Sequence, residues 1–253
     1  MTDSLISEAA SLLCAARRSG QRLSTLPESC RPQSLEVAYA IQDAVIGQLG
    51  ESAGGWKVGA MSYRHPSTVA PILASTILAS PAVLPADALA LCGVEAEIAF
   101  RFGRDLPPRV GEYGRDEILD AVISAHPVIE VLETRFLDIL GIDRLSAVAD
   151  NISNGYLVVG APIEGWRTLD LERPFVKLTA NDRLLALGIG NNGGDPLRLL
   201  VEGAMHVAKH RGGLKSGAVI TTGTLTGIIF SQPGTTVVAD YRRLGRVQVT
   251  FPV

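Results

Sequence analysis

The sequence predicts an α+β fold in which a helical N-terminal arm precedes a β-rich core. In the 253-residue chain, apolar residues recur at helical spacing in the first fifth, and short runs rich in Val, Ile and Thr follow Gly54 and Gly55. The segment around Glu95 alternates apolar and polar side chains. We find no internal repeat, low-complexity stretch or interdomain linker. We therefore predict an arm at residues 1–54 and one larger domain at residues 55–253.

The predicted helices are placed by apolar periodicity and by the residues at their ends. Gly20 and Gly50 each follow a periodic segment, and glycine is common where a helix ends because it adopts positive φ without strain. Asp195 followed by Pro196 is typical of a helix start, with the aspartate as N-cap and the proline in the first turn. These signals predict helices at residues 5–18, 35–49, 115–125 and 196–211.

The predicted strands follow from alternation and composition. Between Leu91 and Phe102 the side chains divide between two faces, an apolar one with Val94, Ala96, Ile98 and Phe100 and a polar one with Glu95, Glu97 and Arg101. The stretch Pro127–Phe136 has strand-like composition, and the tail from residue 218 to residue 251 contains Val/Ile/Thr runs between glycines. We expect these segments to form the β core.

Charge and composition argue against several classes of protein. The net charge of −3 gives no positive field for a phosphate backbone. No apolar run approaches the roughly 18 residues that cross a bilayer, and Asp3 and Glu8 stand where a signal peptide would be basic and then apolar. We expect a cytoplasmic protein with no nucleic-acid or membrane partner. The three cysteines lack CxxC spacing and the His206/His210 pair lacks the glutamate of HExxH, so neither a disulfide framework nor a zinc site is predicted.

Three glutamates are candidate metal ligands. Glu95 and Glu97 leave the same strand face about 7 Å apart, close enough to share one cation, although such a pair is more often a solvated strand face. Glu130 strengthens the metal interpretation because it lies in an otherwise apolar stretch, where an unpaired carboxylate is costly to bury. Three carboxylates completed by water suit a hard cation, so we predict a Mg²⁺ or Mn²⁺ site.

Other polar segments leave two interpretations open. Lys57, flanked by glycines and Trp56, could reach a substrate carboxylate or act as an acid or base, or it could be a surface lysine. Asp150 with Asn151 suggests a turn first and a site loop second. The hydroxyl-rich stretch 221–227 could bind a carboxylate, whereas no P-loop, GxGxxG or GxSxG motif is present. We interpret Glu133 and Arg135 as members of an ion pair that orders the end of the strand.

The motifs together resemble the 2-keto-4-pentenoate hydratase and 4-oxalocrotonate decarboxylase group of the fumarylacetoacetate hydrolase superfamily. The stretches that carry the resemblance run through most of the chain and are AYAIQ (38–42), GWKVG (55–59), GVEAEIAF (93–100), PVIEVLETRF (127–136), DNISNG (150–155) and LKSGAVITTGTLTG (214–227).

The resemblance implies a mixed β-roll or sandwich core, a homo-oligomer and a catalytic domain at residues 55–253. It implies metal ligands at Glu95, Glu97 and Glu130, an active-site lysine at Lys57, and a substrate-carboxylate loop at Thr222, Gly223 and Thr224. The implied reaction adds water to a 2-hydroxy-2,4-dienoate and gives a 4-hydroxy-2-oxo acid, so the partner would be a small 2-oxo acid.

The sequence departs from this pattern after the lysine motif. Hydratases of the group carry a Pro-Asp-aromatic-Gly stretch whose aspartate transfers a proton, and residues 69–73 here read VAPIL. His65, or a water held by Asp150, would have to replace that acid, which makes Asp150 a candidate catalytic residue. The departure keeps three alternatives open: decarboxylation of a 4-oxalocrotonate-type acid, C–C hydrolysis of an acylpyruvate type, and a non-catalytic subunit associated with another pathway enzyme.

Overall fold

Residues 1–85, 91–191 and 193–253 are described by the structure, a computed structural model. Within these ranges the chain forms five α-helices and thirteen strands. The helices are α1 (Asp3–Ser19), α2 (Leu35–Leu49), α3 (Arg115–Ala121), α4 (Arg144–Ala149) and α5 (Pro196–His210). The strands are β1 (Ala53–Gly59), β2 (Thr68–Leu73), β3 (Ile77–Ala79), β4 (Ala82–Val83), β5 (Gly93–Phe102), β6 (Val122–Leu132), β7 (Asn154–Val159), β8 (Phe175–Ala180), β9 (Arg183–Ile189), β10 (Val219–Thr224), β11 (Ile229–Phe230), β12 (Thr236–Tyr241) and β13 (Gly245–Thr250).

The helix ends follow the local signals in the sequence. Gly20 ends α1 at φ 71° and Gly50 ends α2 at φ 68°, a backbone region that favours glycine. Asp195 caps α5, since its side chain accepts a hydrogen bond of 2.8 Å from the Leu197 N–H. These predicted ends are confirmed.

Two predicted boundaries near β6 are wrong. The helix expected to reach residue 125 ends at Ala121, and the strand expected at residues 127–136 runs from Val122 to Leu132. Val122 and Ile123 are β-branched, and Val122 pairs with Phe102 at the end of β5. The long partner strand therefore extends β6 backwards into the segment with helical periodicity.

The larger sheet is rolled. Its eight strands include the path β2-β1-β10-β5-β6-β7-β3, and β11 pairs with β5 outside this path. Ile72 from β2, one end of the path, packs in one buried cluster with Val128 of β6 and Leu157 of β7. Contact between strands so far apart in the sheet order requires strong curvature. The sheet thus encloses an interior face, as the mixed β-roll prediction requires.

A second sheet packs on the first and completes the β core. It has five strands in the order β4-β13-β12-β8-β9. The buried cluster between the sheets includes Phe100 from the first and Tyr241 and Val247 from the second. The single O–H of Tyr241 is shared between two acceptors, the carbonyl oxygens of Glu97 (2.9 Å) and Val128 (2.5 Å), so the second sheet contacts both β5 and β6.

The N-terminal helices have a core of their own, to which later residues contribute. Leu13 of α1 and Ile41 of α2 pack with Phe136 and with Ala149 of α4. This core joins residues from both sides of residue 54. The division of the chain at that residue stays a prediction. No helix in the described part of the chain is long and apolar enough to cross a bilayer. The three cysteines are buried free thiols.

Candidate active site

The three predicted metal ligands lie together inside the rolled sheet. Antiparallel pairing places Glu95 of β5 directly opposite Glu130 of β6, and Glu97 follows two residues along on the same face. One carboxylate oxygen from each residue lies within 4.8 Å of the other two. Their exposed fractions are 9%, 2% and 0% for Glu95, Glu97 and Glu130. The solvated-face interpretation is therefore excluded.

Burial makes the ionised cluster unfavourable without a cation. Desolvation, partly offset by Lys57 and reinforced by Glu130, raises the pKa of Glu95 to about 7. Desolvation, then repulsion from Glu130 and Glu95, raises the pKa of Glu97 well above its usual value. A divalent cation would compensate the repulsion directly, and three carboxylates are a donor set that hard cations accept.

The two oxygens of Glu130 have different environments. Oε1 lies 2.7 Å from Lys57 Nζ and accepts a hydrogen bond of 2.8 Å from Asn154 Nδ2. Oε2 is buried and has no hydrogen-bond partner. A buried acceptor without a partner costs about 1–3 kcal/mol. This orphaned oxygen, on a residue that clusters with two other carboxylates, fits a metal ligand.

Lys57 is a buried component of the site, so the surface-lysine interpretation is wrong. Lys57 is 7% exposed, and its Nζ also donates a hydrogen bond to the Ile152 carbonyl oxygen at 3.0 Å. Burial alone would lower the pKa of Lys57, but the neighbouring carboxylates, Glu130 foremost, outweigh it and raise the pKa. The lysine is therefore held as an ammonium group beside the carboxylates.

The predicted carboxylate loop divides between site contacts and backbone contacts. The Thr224 side chain hydrogen-bonds Glu95, and the Thr222 hydroxyl donates to the Ile98 carbonyl oxygen at 3.0 Å. Gly223 has φ 61°, and a Cβ there would lie 2.7 Å from the Asn191 side-chain oxygen. The substrate-binding role of residues 222–224 stays a prediction.

Thr221 begins the hydroxyl-rich stretch 221–227, but its contact with the glutamate cluster was not predicted from the sequence. Its hydroxyl donates to Glu97 Oε2, and the residue is fully buried. Thr221 pairs in register with Lys57 on one side and with Ala99 on the other. Alternation along β10, applied as it was to β5, would have indicated that its side chain shares the face of the glutamates.

Asp150 contacts an arginine and a threonine. Its Oδ2 accepts hydrogen bonds from Thr134 Oγ1 (2.8 Å) and the Arg135 N–H (2.9 Å), and its Oδ1 accepts from Arg135 Nε. The two residues expected to form an ion pair at the strand end each contact another partner, Arg135 with Asp150 and Glu133 with Arg22 at 2.8 Å. The catalytic role of Asp150 stays a prediction, and its contacts support a different role.

The three residues after Asp150 form a left-handed turn. Asn151, Ile152 and Ser153 have φ values of 53°, 50° and 56°. Left-handed backbone costs an L-residue about 1–2 kcal/mol, so the turn costs on the order of 3–6 kcal/mol. Hydrogen bonds to charged groups contribute about 1.5–3 kcal/mol each and offset such a cost. The turn therefore depends on the polar groups that surround it.

Residues 69–73, where hydratases of the group have a proton-transferring aspartate, contribute no carboxylate to the site. Residues 69–73 belong to β2 and are buried, with Ala70 paired to Lys57 of β1. His65 is exposed and its Nδ1 hydrogen-bonds Ser62 Oγ at 2.8 Å. These contacts give no support to His65 as the replacement for that acid.

Comparison with known proteins agrees with these observations. No protein-family profile matches the sequence. The chain is 28% identical over 261 residues to the 2-keto-4-pentenoate hydratase of Paraburkholderia phymatum, covering 98% of both chains. The 4-oxalocrotonate decarboxylase of Pseudomonas putida G7, in complex with magnesium and adipate, superposes with a TM-score of 0.84 at 21% identity, over 99% of this chain and 98% of that one.

A more distant structure has a similar fold. A fumarylacetoacetate hydrolase family protein from yeast superposes with a TM-score of 0.53 at 16% identity, over 78% of this chain and 91% of that one. The resemblance predicted from the motifs is therefore confirmed: the chain is a relative of the 2-keto-4-pentenoate hydratase and 4-oxalocrotonate decarboxylase group and has the fold of the fumarylacetoacetate hydrolase superfamily.

Proposed function

We propose that the protein is a divalent-metal-dependent hydratase that adds water to a 2-hydroxy-2,4-dienoate and gives a 4-hydroxy-2-oxo acid. The observation that carries the proposal is the buried cluster of Glu95, Glu97 and Glu130 with an orphaned Glu130 oxygen beside Lys57. Relatives named 2-keto-4-pentenoate hydratase, whose similarity covers 98% of this chain, support this choice of reaction.

The three glutamates would hold Mg²⁺ or Mn²⁺. A divalent cation bound there supplies Lewis-acid stabilisation of the negative charge that develops on the substrate's 2-oxygen. Magnesium in the decarboxylase structure and Mn²⁺ in a fumarylpyruvate hydrolase structure from Pseudomonas aeruginosa support these two metals.

Lys57 is the proposed proton-transfer group. Its ammonium is fixed by Glu130 Oε1 and by the Ile152 carbonyl, so the third N–H remains for the substrate. In the hydration, water adds its OH to carbon 4 and releases its other proton, and the 2-hydroxyl also loses its proton. These two protons balance the ones that carbon 5 and carbon 3 gain. A fixed ammonium beside the enolate can donate a proton to carbon, or it can hold the 2-oxygen while the protons and water are added. Thr224 and the N–H groups of the turn at Gly223 would bind the substrate carboxylate.

Decarboxylation of a 4-oxalocrotonate-type acid is the second candidate. It is favoured by one observation, namely that β2 carries apolar residues where the hydratases have a proton-transferring aspartate. Loss of CO₂ uses the same stabilised enolate and requires no activated water. A 4-oxalocrotonate decarboxylase from a Pseudomonas species is 28% identical over 155 residues, covering 60% of this chain.

One assay separates the candidates. Purified protein with Mg²⁺ or Mn²⁺ is incubated with 2-hydroxypenta-2,4-dienoate, followed by dienol absorbance, and with 4-oxalocrotonate, followed by released CO₂. Loss of dienol without CO₂ release supports the hydratase, and CO₂ release supports the decarboxylase. Turnover of neither substrate by metal-loaded protein would contradict both and favour a non-catalytic subunit.

The assembly and location follow the same proposal. We propose a cytoplasmic homo-oligomer, as the resemblance implies, that could associate with another pathway enzyme. Sedimentation velocity of the purified protein would measure the assembly, and a monomer at micromolar concentration would contradict it.

A further inference from the structure

The left-handed turn at residues 151–153 carries two contacts that fix the polar groups of the site. The carbonyl of its central residue, Ile152, accepts the hydrogen bond from Lys57 Nζ at 3.0 Å. Asn154 directly follows the turn and donates to Glu130 Oε1 at 2.8 Å. The backbone conformation of three residues therefore determines where the lysine ammonium and the Glu130 carboxylate lie.

The guanidinium of Arg135 joins the two ends of this turn. Nη2 donates to the Asp150 carbonyl oxygen at 2.7 Å, and Nη1 donates to the Asn154 carbonyl oxygen at 3.3 Å. Nε donates to the Asp150 carboxylate, whose other oxygen is held by Thr134. Arg135 is 4% exposed and Asp150 3%, so water does not compete for these bonds.

We propose that Arg135 and Asp150 are a positioning pair that holds residues 151–153 left-handed and thereby places Lys57 and Glu130 for the reaction. Two features distinguish this role from a simple buried ion pair. The arginine contacts backbone oxygens on both sides of the turn, and the turn consists of non-glycine residues that would otherwise avoid positive φ. The activity part of the proposal rests on the proposed function, whereas the metal-binding part stands without it.

The test uses one variant that keeps the charge and changes the geometry, and one that removes the charge of Asp150. Arg135→Lys retains a cation beside Asp150 but loses the planar group that reaches both carbonyls. We expect calorimetry to give a dissociation constant for Mn²⁺ at least tenfold higher than that of the wild type. We also expect at least a tenfold lower kcat on 2-hydroxypenta-2,4-dienoate. Asp150→Asn should weaken Mn²⁺ binding as well, because its amide N–H would face the donors of Thr134 and Arg135.

The matched control is Arg22→Lys, which changes the ion pair with the Glu133 side chain at the same strand end. The bond from the Glu133 N–H to the Ser153 carbonyl oxygen of the turn, 2.9 Å, is a backbone bond and is kept in this variant. Mn²⁺ affinity and kcat within twofold of wild type are expected for this control. The proposal is overturned if Arg135→Lys matches wild type within twofold in both, or if Asp150→Asn loses turnover with unchanged Mn²⁺ affinity, as a proton-transfer residue would.

A milder variant covers a folding failure. If Arg135→Lys does not fold, Thr134→Val removes a single bond to Asp150, and it should still weaken Mn²⁺ binding two- to fivefold; unchanged affinity would overturn the proposal. Absence of turnover in wild type would contradict the proposed function alone, since the Mn²⁺ titrations still decide the role of the pair.

Discussion

Raising the pH of the metal-free protein from about 5 to about 7.5 should lower its free energy of unfolding, because the folded state holds protons that the unfolded chain releases. The pKa of Glu95 is about 7 in the fold, against 4.5 for an unperturbed glutamate. A group whose pKa is raised by folding stabilises the fold below the unfolded value, and this contribution is lost as the pH rises through the folded value. At about 1.4 kcal/mol per pKa unit, the difference corresponds to about 3 kcal/mol for Glu95, and Glu97 acts in the same direction.

Urea unfolding in the presence of a chelator measures this loss at several pH values, with Glu95→Gln as the control. The variant should show a flatter pH dependence, since a neutral amide does not titrate in this range. Added Mn²⁺ at about 100 times its dissociation constant should restore about 2.7 kcal/mol at neutral pH. A wild-type free energy that varies by less than about 0.5 kcal/mol across the range, or an identical slope in the variant, would refute the reasoning.

Three further variants test the site and its support. Glu97→Gln should weaken divalent-metal binding at least tenfold, because a neutral amide oxygen replaces one carboxylate ligand, and unchanged binding in calorimetry would remove Glu97 from the ligand set. Lys57→Met should abolish turnover while Mn²⁺ still binds, and wild-type kcat would exclude a catalytic role for the lysine. Tyr241→Phe should lower the free energy of unfolding by about 1–3 kcal/mol, since its buried hydroxyl contacts the carbonyls of Glu97 and Val128, and thermal unfolding indistinguishable from wild type would contradict that account.

Sequence patterns predicted the elements whose local signals agree with their tertiary contacts. The alternation around Glu95 identified β5 and its polar face, and Gly20, Gly50 and Asp195 marked helix ends. The prediction failed at residues 122–125, where a helical apolar pattern continues into a strand. Pairing with the far end of β5 decides that conformation, and no local signal reports the length of a distant partner strand.

The sequence predicted the three glutamates and the lysine that the structure brings together, but only part of the contacts that support them. An isolated glutamate in an apolar stretch marked Glu130, and glycines with a lysine marked Lys57. The partner of Asp150 was not predictable, because Arg135 has a nearer glutamate, Glu133, in the sequence. Three consecutive positive φ values at Asn151, Ile152 and Ser153 also leave no signal, since two of these residue types are ordinary in turns and isoleucine normally avoids that region.

The roll of the larger sheet sets how far apart the site groups can be. Three strand spacings separate β1 from β6 in the sheet order, which amounts to about 14 Å across a flat sheet. Lys57 Nζ and Glu130 Oε1 nevertheless lie 2.7 Å apart, because the two strands bend toward each other. The carboxylates stand on neighbouring strands and need no such bend. A change that flattens the sheet would therefore separate Lys57 from the glutamates first, so that the proposed cation ligands stay together while the proposed proton donor moves away.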